Sequence, residues 1–426
     1  MSGSLERVLV VGTTWDYVAL IEERIPGRAL FLTDRAERER AFDGLSPESE
    51  ILCDLTAYKP SIRAVESHVK RCGFRLKGIT CFDCESLELA ALLGDVLGLS
   101  YPSLSAVRAC RSKWLSKKAW RNVGVRCPRA GKVQTEDEAL AFFNRVGGAV
   151  VIKPLCGSGS ELTFCCSDEE ELTERMALLR EELCLRQENR MYDVKFGADP
   201  RKVFLLEERV EGQEYSCDCA LDGTDFQILR LTRKVSAPDL GFGTTLAYLM
   251  SPDMPPGVEG GSLCEEFCLA ARALGLERAL FMVDFMVRDG EVYFLELTPR
   301  PGGDCLPFLV EASCGLDTIA AAIEFAEGEP LHQPRPKTWK KWAGVRLLGT
   351  EEGRIVRIDD RSIEEDHRTR DCTLKVAPGH EIVLPPRDYD SRVLGHVIME
   401  PGCWNDGENE CLDVAGKLSL ELEPLE

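Results

Sequence analysis

Two carboxylates lie in a stretch of sequence that otherwise predicts a buried β-hairpin. Residues 281–304 read FMVDFMVRDGEVYFLELTPRPGGD, with two apolar runs on either side of a turn signal. Asp284 lies in the first run and Glu296 in the second. Because burying an unpaired carboxylate is costly, the pair indicates a site for cation binding or catalysis. A pair of acids at a solvated sheet edge is the structural alternative.

The turn decides whether the two acids face each other. A two-residue Asp289-Gly290 turn would place them on opposite sides of the ribbon. We predict a three-residue loop, 288–290, in which Gly290 takes the left-handed conformation. Asp284, Glu296 and the Thr298 hydroxyl then share one face, and the other face is apolar. Such a face suits Mg²⁺, which prefers oxygen ligands.

A lysine and a glycine–serine loop form a candidate phosphate site. In VVIKPLCGSGS, a predicted strand ends at Lys153 and leads into Gly157, Ser158, Gly159 and Ser160. Glycines let backbone amides approach phosphate oxygens, and the lysine adds a full charge. The spacing differs from that of a P-loop, so the common P-loop fold is not supported. A simple turn is the alternative.

Two further segments could contact a nucleotide and an anionic substrate. In LLEERVEGQEYS, backbone groups of residues 208–210 could meet an adenine edge and Glu214 could reach ribose hydroxyls, although a charged loop explains the segment equally well. Arg300 lies between two prolines and is followed by Gly302 and Gly303. A rigidly held guanidinium beside open backbone amides suits a carboxylate or an acyl phosphate.

The elements that must position these residues change in type along the chain. Residues 1–110 alternate predicted strands, such as RVLVVGTT, RALFLTD and KGITCFD, with a helix in 84–102 that ends at Gly98. This alternation predicts a parallel α/β sheet. Hairpins and longer helices follow from residue 113, a proline-rich junction lies at 328–339, and short alternating strands fill 340–426. The first strand lacks the later glycines of a dinucleotide motif, so a nicotinamide oxidoreductase has little support.

Composition excludes several classes of function. The chain has 426 residues and a formal net charge of -20, which repels nucleic acid and anionic membranes, so neither is a predicted partner. The N-terminus reads as a strand and not as a signal peptide, and the 19 scattered cysteines indicate reduced thiols in a cytoplasmic protein. Cys81 and Cys84 form a C-x-x-C without a second pair or a histidine at zinc spacing. None of the five histidines lies in a recognisable nucleophile motif.

The order of these motifs over residues 1–330 resembles the ATP-grasp superfamily. The resemblance implies a mixed α/β and α+β fold with an N-terminal parallel α/β domain at 1–112, an ATP-grasp domain at 113–334 and a C-terminal β-rich domain at 335–426. A lid subdomain is expected at about 120–208, with the Gly157–Ser160 loop closing over the site. ATP and Mg²⁺, or Mn²⁺ in its place, are the implied cofactors. Small-molecule carboxylate and amine substrates are the implied partners, and a homodimer stays open.

The resemblance also implies a role for each site residue. Lys113, Lys153 and Lys234 match phosphate-contacting lysines, Arg300 matches the arginine that stabilises the reacting acyl phosphate, and Lys234 and Arg300 are the catalytic candidates. The remaining matches are the adenine hinge at Glu207, Glu208, Arg209 and Val210, the ribose-binding Glu214, the magnesium ligands Asp284 and Glu296, and the substrate loop at Arg300, Gly302 and Gly303. Two positions depart from the pattern, since Thr298 replaces an asparagine at the second metal position and Ser112 replaces an acid before Lys113.

Within the superfamily, ELTPRPGGDCLPFLVEASCGLD and the C-terminal segment are most similar to the L-amino-acid ligase branch. The implied activity is an ATP-dependent ligation of a carboxylate to an amine through an acyl phosphate, with release of ADP. Residues 233–246 are expected to line the substrate pocket. A non-catalytic nucleotide-binding protein and a carboxylase or purine-pathway ligase are the alternatives.

Overall fold

The computed structural model describes residues 5–39, 45–187, 189–193, 199–331 and 338–425. Within these ranges the chain forms four β-sheets and thirteen α-helices. The predicted proline-rich junction falls partly outside them, since residues 332–337 are not described.

The first sheet is the predicted N-terminal parallel sheet, with strand order β3-β2-β1-β4. Its strands are β1 (Glu6–Val11), β2 (Ala29–Asp34), β3 (Glu50–Cys53) and β4 (Arg75–Thr80). Its helices are α1 (Trp15–Arg24), α2 (Arg35–Glu39), α3 (Tyr58–Cys72) and α4 (Leu87–Leu97). The prediction that α4 ends at Gly98 is confirmed, because Gly98 caps it with φ 65°. The short strand β3 was not predicted.

The second sheet is antiparallel and holds the glycine–serine loop between β6 and β7. Its order is β5-β8-β6-β7, with β5 (Ala130–Val133), β6 (Val150–Pro154), β7 (Phe164–Cys166) and β8 (Phe204–Glu208). Four helices precede or cover it: α5 (Leu104–Arg111), α6 (Lys113–Asn122), α7 (Glu136–Val146) and α8 (Glu169–Leu185). Apolar residues of α7 and α8 pack on this sheet in one core.

A central antiparallel sheet of eight strands carries the hairpin, in the order β13-β12-β9-β10-β11-β14-β18-β16. Its strands are β9 (Gln213–Asp222), β10 (Asp225–Ser236), β11 (Thr245–Met250), β12 (Arg278–Arg288), β13 (Glu291–Thr298), β14 (Trp342–Leu348), β16 (Thr369–Leu374) and β18 (Val393–Met399). Helices α9 (Gly260–Ala273), α10 (Leu306–Cys314) and α11 (Thr318–Ala326) lie between its strands in sequence. The C-terminal segment thus extends the same sheet.

The fourth sheet is small and lies within the C-terminal segment. It contains β15 (Gly353–Asp359), β17 (Glu381–Ile382) and β19 (Ser419–Glu423), in the order β17-β15-β19. Helices α12 (Arg361–Glu364) and α13 (Gly407–Ala415) complete the described chain. The predicted β-rich character of this segment is confirmed.

Across the described ranges, no helix is by itself both long and apolar enough to span a membrane. The pair α10 and α11 passes that test by length and composition alone, with a bend of 99° between them.

The turn of the β12–β13 hairpin differs from the predicted three-residue loop, and that prediction was wrong. Arg288 pairs with Glu291, so Asp289 and Gly290 alone form the turn. Their φ angles are 53° and 78°. Positive φ at both central residues is what a type I′ turn requires, and Asp-Gly is a favoured pair for it.

A β-bulge then moves the two acids onto the same face. Phe285 pairs with Phe294, but Asp284 pairs with Glu296, so Leu295 is an extra residue on β13. A bulge leaves one residue unpaired and shifts the alternation of side chains beyond it by one. The predicted convergence of the acids is therefore correct, although its cause is the bulge and not the loop.

Burial along β13 follows this shift. On the turn side of the bulge, Val292 and Phe294 belong to the main core. Beyond it, Leu297 belongs to the core, while Glu296 and Thr298 are only partly buried and face the other side.

Candidate active site

A cavity of about 300 Å³, here called the lysine cavity, lies between the second sheet and the central sheet. It collects most of the residues singled out from the sequence. These are Lys113, Lys153, Gly157, Ser158, Ser160, Glu207, Glu208, Arg209, Val210, Glu214, Lys234, Asp284 and Glu296.

Lys113 joins the hairpin to the glycine–serine loop. Its Nζ lies 2.8 Å from Glu296 Oε2 and donates to the Gly157 carbonyl at 3.0 Å. Burial lowers the pKa of Lys113, but the Glu296 carboxylate outweighs it and the net pKa is raised. Burial likewise raises the pKa of Glu296, yet Lys113 dominates and brings it down to about 2. Ser112 caps α6 by accepting a hydrogen bond from the Leu115 amide. The serine that replaces the family's acid before Lys113 therefore has a structural role.

Glu207 lies between two lysines. Its carboxylate is 2.7 Å from Lys153 Nζ and 3.2 Å from Lys117 Nζ. Burial raises the pKa of Glu207, but the two lysines together lower it. Lys117 is fully buried and also donates to the carbonyls of Phe294 and of the bulged Leu295. Sequence reasoning missed Lys117, although it follows Lys113 by one helical turn.

Lys234 bridges Glu214 and Asp284, which also line the lysine cavity. Its Nζ lies 2.7 Å from Glu214 Oε1 and 2.8 Å from Asp284 Oδ2. Burial lowers the pKa of Lys234, but Asp284 and Glu214 outweigh it and raise the net pKa. The lysine is therefore charged and holds both carboxylates at the cavity wall.

The paired acids fit a cation that is shared with a phosphate. Asp284 and Glu296 are direct partners in the hairpin register, and buried Asp284 Oδ1 has no hydrogen-bond partner within the described ranges. Mg²⁺ is commonly held by one or two carboxylates together with substrate phosphates. In the same ranges, no group of three or more His, Cys, Asp or Glu side chains could hold a metal by itself. The acids therefore suit a metal that arrives with a nucleotide.

The predicted hinge lies where β8 ends. The Glu208 amide donates to the Arg129 carbonyl at 2.8 Å and the Arg209 amide to the Ala149 carbonyl at 3.0 Å. Opposite the hinge, Phe242 is 45% exposed and also lines the lysine cavity. A Cβ at Gly243 would lie 3.0 Å from the Ser160 side chain, and the φ of 78° also favours glycine where the two loops approach. Phe242 and Gly243 fall within the range predicted to line the pocket.

A second space of about 480 Å³, the adjoining cavity, shares a wall with the lysine cavity. The shared residues are Gly157, Ser158, Ser160, Lys234, Gly243, Asp284 and Glu296. Gly159, Thr298, Arg300 and Gly303 line the adjoining cavity alone. Its other charged residues come from distant segments and were not found from the sequence: Asp16, Asp83, Asp304, Arg346, Lys375 and Asp390.

The loop after β13 fixes Arg300 in the adjoining cavity. Its Nε donates to Cys84 Sγ at 3.1 Å and its Nη1 to the Pro301 carbonyl at 2.8 Å. Cys84 of the C-x-x-C motif thus lies against the guanidinium. The Gly302 amide, expected to be open to substrate, instead donates to Asp218 Oδ1 at 3.0 Å, which corrects that prediction. Gly303 does line the cavity.

Arg346 and Asp304 form the far wall of the adjoining cavity. Arg346 Nε lies 2.7 Å from Asp304 Oδ2, and Arg346 Nη1 donates to the Thr245 carbonyl at 3.1 Å. Nearby, burial raises the pKa of Tyr248 to about 12, so its hydroxyl is protonated. The adjoining cavity therefore presents fixed charges of both signs and a neutral phenol.

Comparison with known proteins finds a family match in the central part of the chain. Residues 146–307 match the family model of the ATP-grasp domain. The matched region runs from the end of α7 to the start of α10 and so includes the loop, the hinge and the hairpin acids.

The fold of the whole chain is shared with solved ATP-grasp structures. The chain superposes on the crystal structure of L-amino acid ligase from Bacillus licheniformis with a TM-score of 0.76 and 16% identity, covering 98% of this chain and 99% of that one. The expected ATP-grasp fold is thereby confirmed.

The curated sequence relatives are longer than this chain. The chain is 25% identical over 229 residues to the carbamoyl phosphate synthase large chain of Gemmatimonas aurantiaca, covering 53% of this chain and 19% of the relative. It is 24% identical over 309 residues to human carnosine synthase 1, covering 69% of this chain and 36% of the relative. The chain thus spans well under two thirds of the length of these curated relatives.

Proposed function

We propose that the protein is an ATP-dependent carboxylate–amine ligase that forms an amide bond and releases ADP and phosphate. One observation carries the proposal: the lysine cavity and the adjoining cavity share a wall. That wall is built from the glycine–serine loop, Lys234 and the two acids of the hairpin. A triphosphate in the first cavity would place its terminal phosphate beside an acid substrate in the second.

The reaction proceeds in two displacements. A carboxylate oxygen attacks the γ-phosphorus, and the bond to the bridging oxygen breaks so that ADP leaves. The amine nitrogen then attacks the acyl carbon, the bond from that carbon to the phosphate oxygen breaks, and the nitrogen loses a proton. Such transfer depends mainly on positioning and on charge stabilisation.

The residues of this chain supply that stabilisation. Lys113 and Lys153 would contact the phosphates, and Arg300 would face the negative charge that develops on the acyl group. The glycine–serine loop lies between both cavities, where its closure would exclude water from the acyl phosphate.

Asp284 and Glu296 would hold Mg²⁺, with the Thr298 hydroxyl on the same face. When bound, Mg²⁺ neutralises charge on the phosphates. Lys234 pairs with Asp284 and Lys113 pairs with Glu296 at the cavity wall.

The relatives support an amino acid as one substrate. The solved structure that covers almost the full chain is named an L-amino acid ligase, and one curated relative is named a carnosine synthase. The charges of both signs in the adjoining cavity also suit a zwitterion.

An ADP-release assay tests the proposal. The full chain is incubated with ATP, Mg²⁺ and pairs drawn from a pool of amino acids and simple carboxylates, and products are identified by mass spectrometry. We expect ADP and an amide product to form in equal amounts. Tight ATP binding without ADP release across the pool would instead support the non-catalytic alternative.

A further inference from the structure

A third space of about 550 Å³, here called the outer chamber, continues from the adjoining cavity. Helix α1 forms one side, strands β16 and β18 the other, and Phe308 of α10 also lines it. The residues common to both spaces are Thr14, Asp16, Tyr17, Asp304, Lys375 and Val393. The outer chamber therefore leads towards Arg300.

The walls of the outer chamber are largely apolar. They are formed by Trp15, Leu20, Phe308, Leu374 and Val376. Trp15 is 38% exposed, so its indole is partly accessible. A bulky side chain could cover this surface and gain hydrophobic stabilisation.

The charged residues of the outer chamber are mostly acidic. Its acids are Asp16, Glu23, Glu37 and Asp304, whereas Lys375 is the cationic lining residue. Lys375 Nζ lies 3.6 Å from Asp16, and Arg346 Nε lies 2.7 Å from Asp304, so the charges of these two acids are already engaged. Glu23 is exposed at the rim and adds a negative charge there.

A buried histidine lies beside the outer chamber without hydrogen bonds. His396 of β18 is the direct partner of Arg346 on β14 and of Thr373 on β16, so the three project from one face of the sheet. Its ring is fully buried, 4.8 Å from the Phe308 ring, and neither ring nitrogen has a partner in the described part of the chain. His396 lines the outer chamber, and a buried imidazole needs hydrogen-bond partners, so a polar group that enters the chamber would satisfy this ring.

We propose that the outer chamber binds the side chain of the amine substrate, and that this side chain is bulky and either neutral or cationic. The inference rests on the proposed ligase function. The negative charge of Glu23 at the rim attracts a cationic side chain and repels an anionic one. The apolar wall favours a bulky side chain on the amine substrate. His396 offers a hydrogen bond to a polar group at the end of that side chain.

Binding measurements test this inference without turnover. Titration calorimetry of the full chain, with ADP and Mg²⁺ present, uses L-phenylalanine, L-lysine and L-glutamate as probes. We expect the first two to bind roughly 10-fold tighter than L-glutamate or better. Equal binding of L-glutamate, or no binding of any of the three, would overturn the inference.

Variants assign the binding to the outer chamber. Leu20→Trp fills it and should weaken L-phenylalanine binding roughly 10-fold. Glu23→Lys reverses an exposed charge without touching the core, and it should reduce the preference for L-lysine over L-glutamate. Glu265→Lys on α9, an exposed residue that lines none of the three spaces, is the matched control and should change neither value.

Two histidine variants test the hydrogen bond. His396→Gln keeps a donor and an acceptor, whereas His396→Leu removes both. Amines with a polar side-chain end should lose affinity in the second variant and largely keep it in the first.

The two proposals fail in different ways. Absence of ADP release together with chamber-dependent amine binding would refute the ligase function alone. ADP release with an amine KM that neither Leu20→Trp nor Glu23→Lys changes would refute the role of the outer chamber alone.

Discussion

Arg230 and Asp218 form a buried ion pair that holds the loop carrying Arg300. Arg230 Nε lies 2.9 Å from Asp218 Oδ2, and Arg230 Nη2 donates to Asp218 Oδ1 at 3.0 Å. Asp218 Oδ1 also accepts the Gly302 amide. Burial lowers the pKa of Arg230, but the Asp218 carboxylate outweighs it and the net pKa is raised, so the guanidinium is charged. The pair therefore couples the centre of the sheet to the position of the guanidinium in the adjoining cavity.

Asp218→Asn should destabilise the fold and slow the reaction. Arg230 would keep a buried charge without its carboxylate, at a cost of about 3 kcal/mol in the free energy of unfolding. The loop at Gly302 would also lose its charged acceptor, so kcat should fall more than ATP affinity. Denaturant unfolding and ADP release measure these effects. Asp225→Asn, an exposed position on β10, is the control, and equal behaviour of the two variants would contradict the prediction.

Glu296→Gln should abolish ADP release. The variant removes one proposed magnesium ligand and the carboxylate that pairs with Lys113. We expect a loss of roughly 100-fold or more in kcat. Glu291→Gln at the turn of the same strand serves as the control. Turnover that survives in Glu296→Gln would show that the assignment of the metal site is wrong.

Lys153 and Lys117 should differ although both contact Glu207. Lys153 lines the lysine cavity, so Lys153→Met should weaken ATP binding roughly 10-fold or more. Lys117 is fully buried and does not line the cavity, so Lys117→Met should mainly lower the free energy of unfolding, by about 3 kcal/mol. Calorimetric titration with ATP and thermal unfolding separate the two effects. If Lys117→Met weakened ATP binding and Lys153→Met mainly lowered the free energy of unfolding, the two assignments would be wrong.

Asp83 should make stability depend on pH. Burial raises its pKa to about 6, with a further contribution from Glu85 that Arg190 partly offsets. A carboxyl whose pKa is higher in the folded chain than in the unfolded chain favours folding at low pH, and that contribution is lost as the pH rises towards 6. Asp83→Asn should therefore raise the free energy of unfolding by at most about 3 kcal/mol at pH ~8 and by about half of that at pH ~5. A difference between wild type and variant that does not change with pH would contradict the assigned pKa.

Local motifs predicted much of the lysine cavity. Lys153 and the glycine–serine loop are consecutive in sequence, and Asp284 and Glu296 stand out because acids interrupt apolar strands. Each signal needs only a short window of sequence, and the cavity brings these residues together.

The bulge at Leu295 could not be predicted from the alternation of apolar and polar side chains along the hairpin. The choice between a longer loop and a bulge depends on whether Val292 and Phe294 pack in the core, and that packing involves helix α9 through Phe267. Alternation in a single hairpin fits both solutions, so only the tertiary contacts decide between them.

The adjoining cavity and the outer chamber were missed for a different reason. Asp16, Asp304, Arg346 and His396 come from separate segments, and no local pattern marks any of them. They meet because β14 and β18 join the central sheet beside β11, which is a property of the topology.

The pairing of β11 with β14 has a consequence for truncation of this chain. Ala247 pairs with Val345, and Met250 pairs with Trp342, so the last four residues of β11 are paired with β14. A fragment that stops before β14 would turn β11 into an exposed edge strand, with a row of unpaired amides and carbonyls open to another molecule. The C-terminal segment is thus a lateral continuation of the central sheet, and truncation would leave an exposed, unpaired strand edge instead of a free-standing domain.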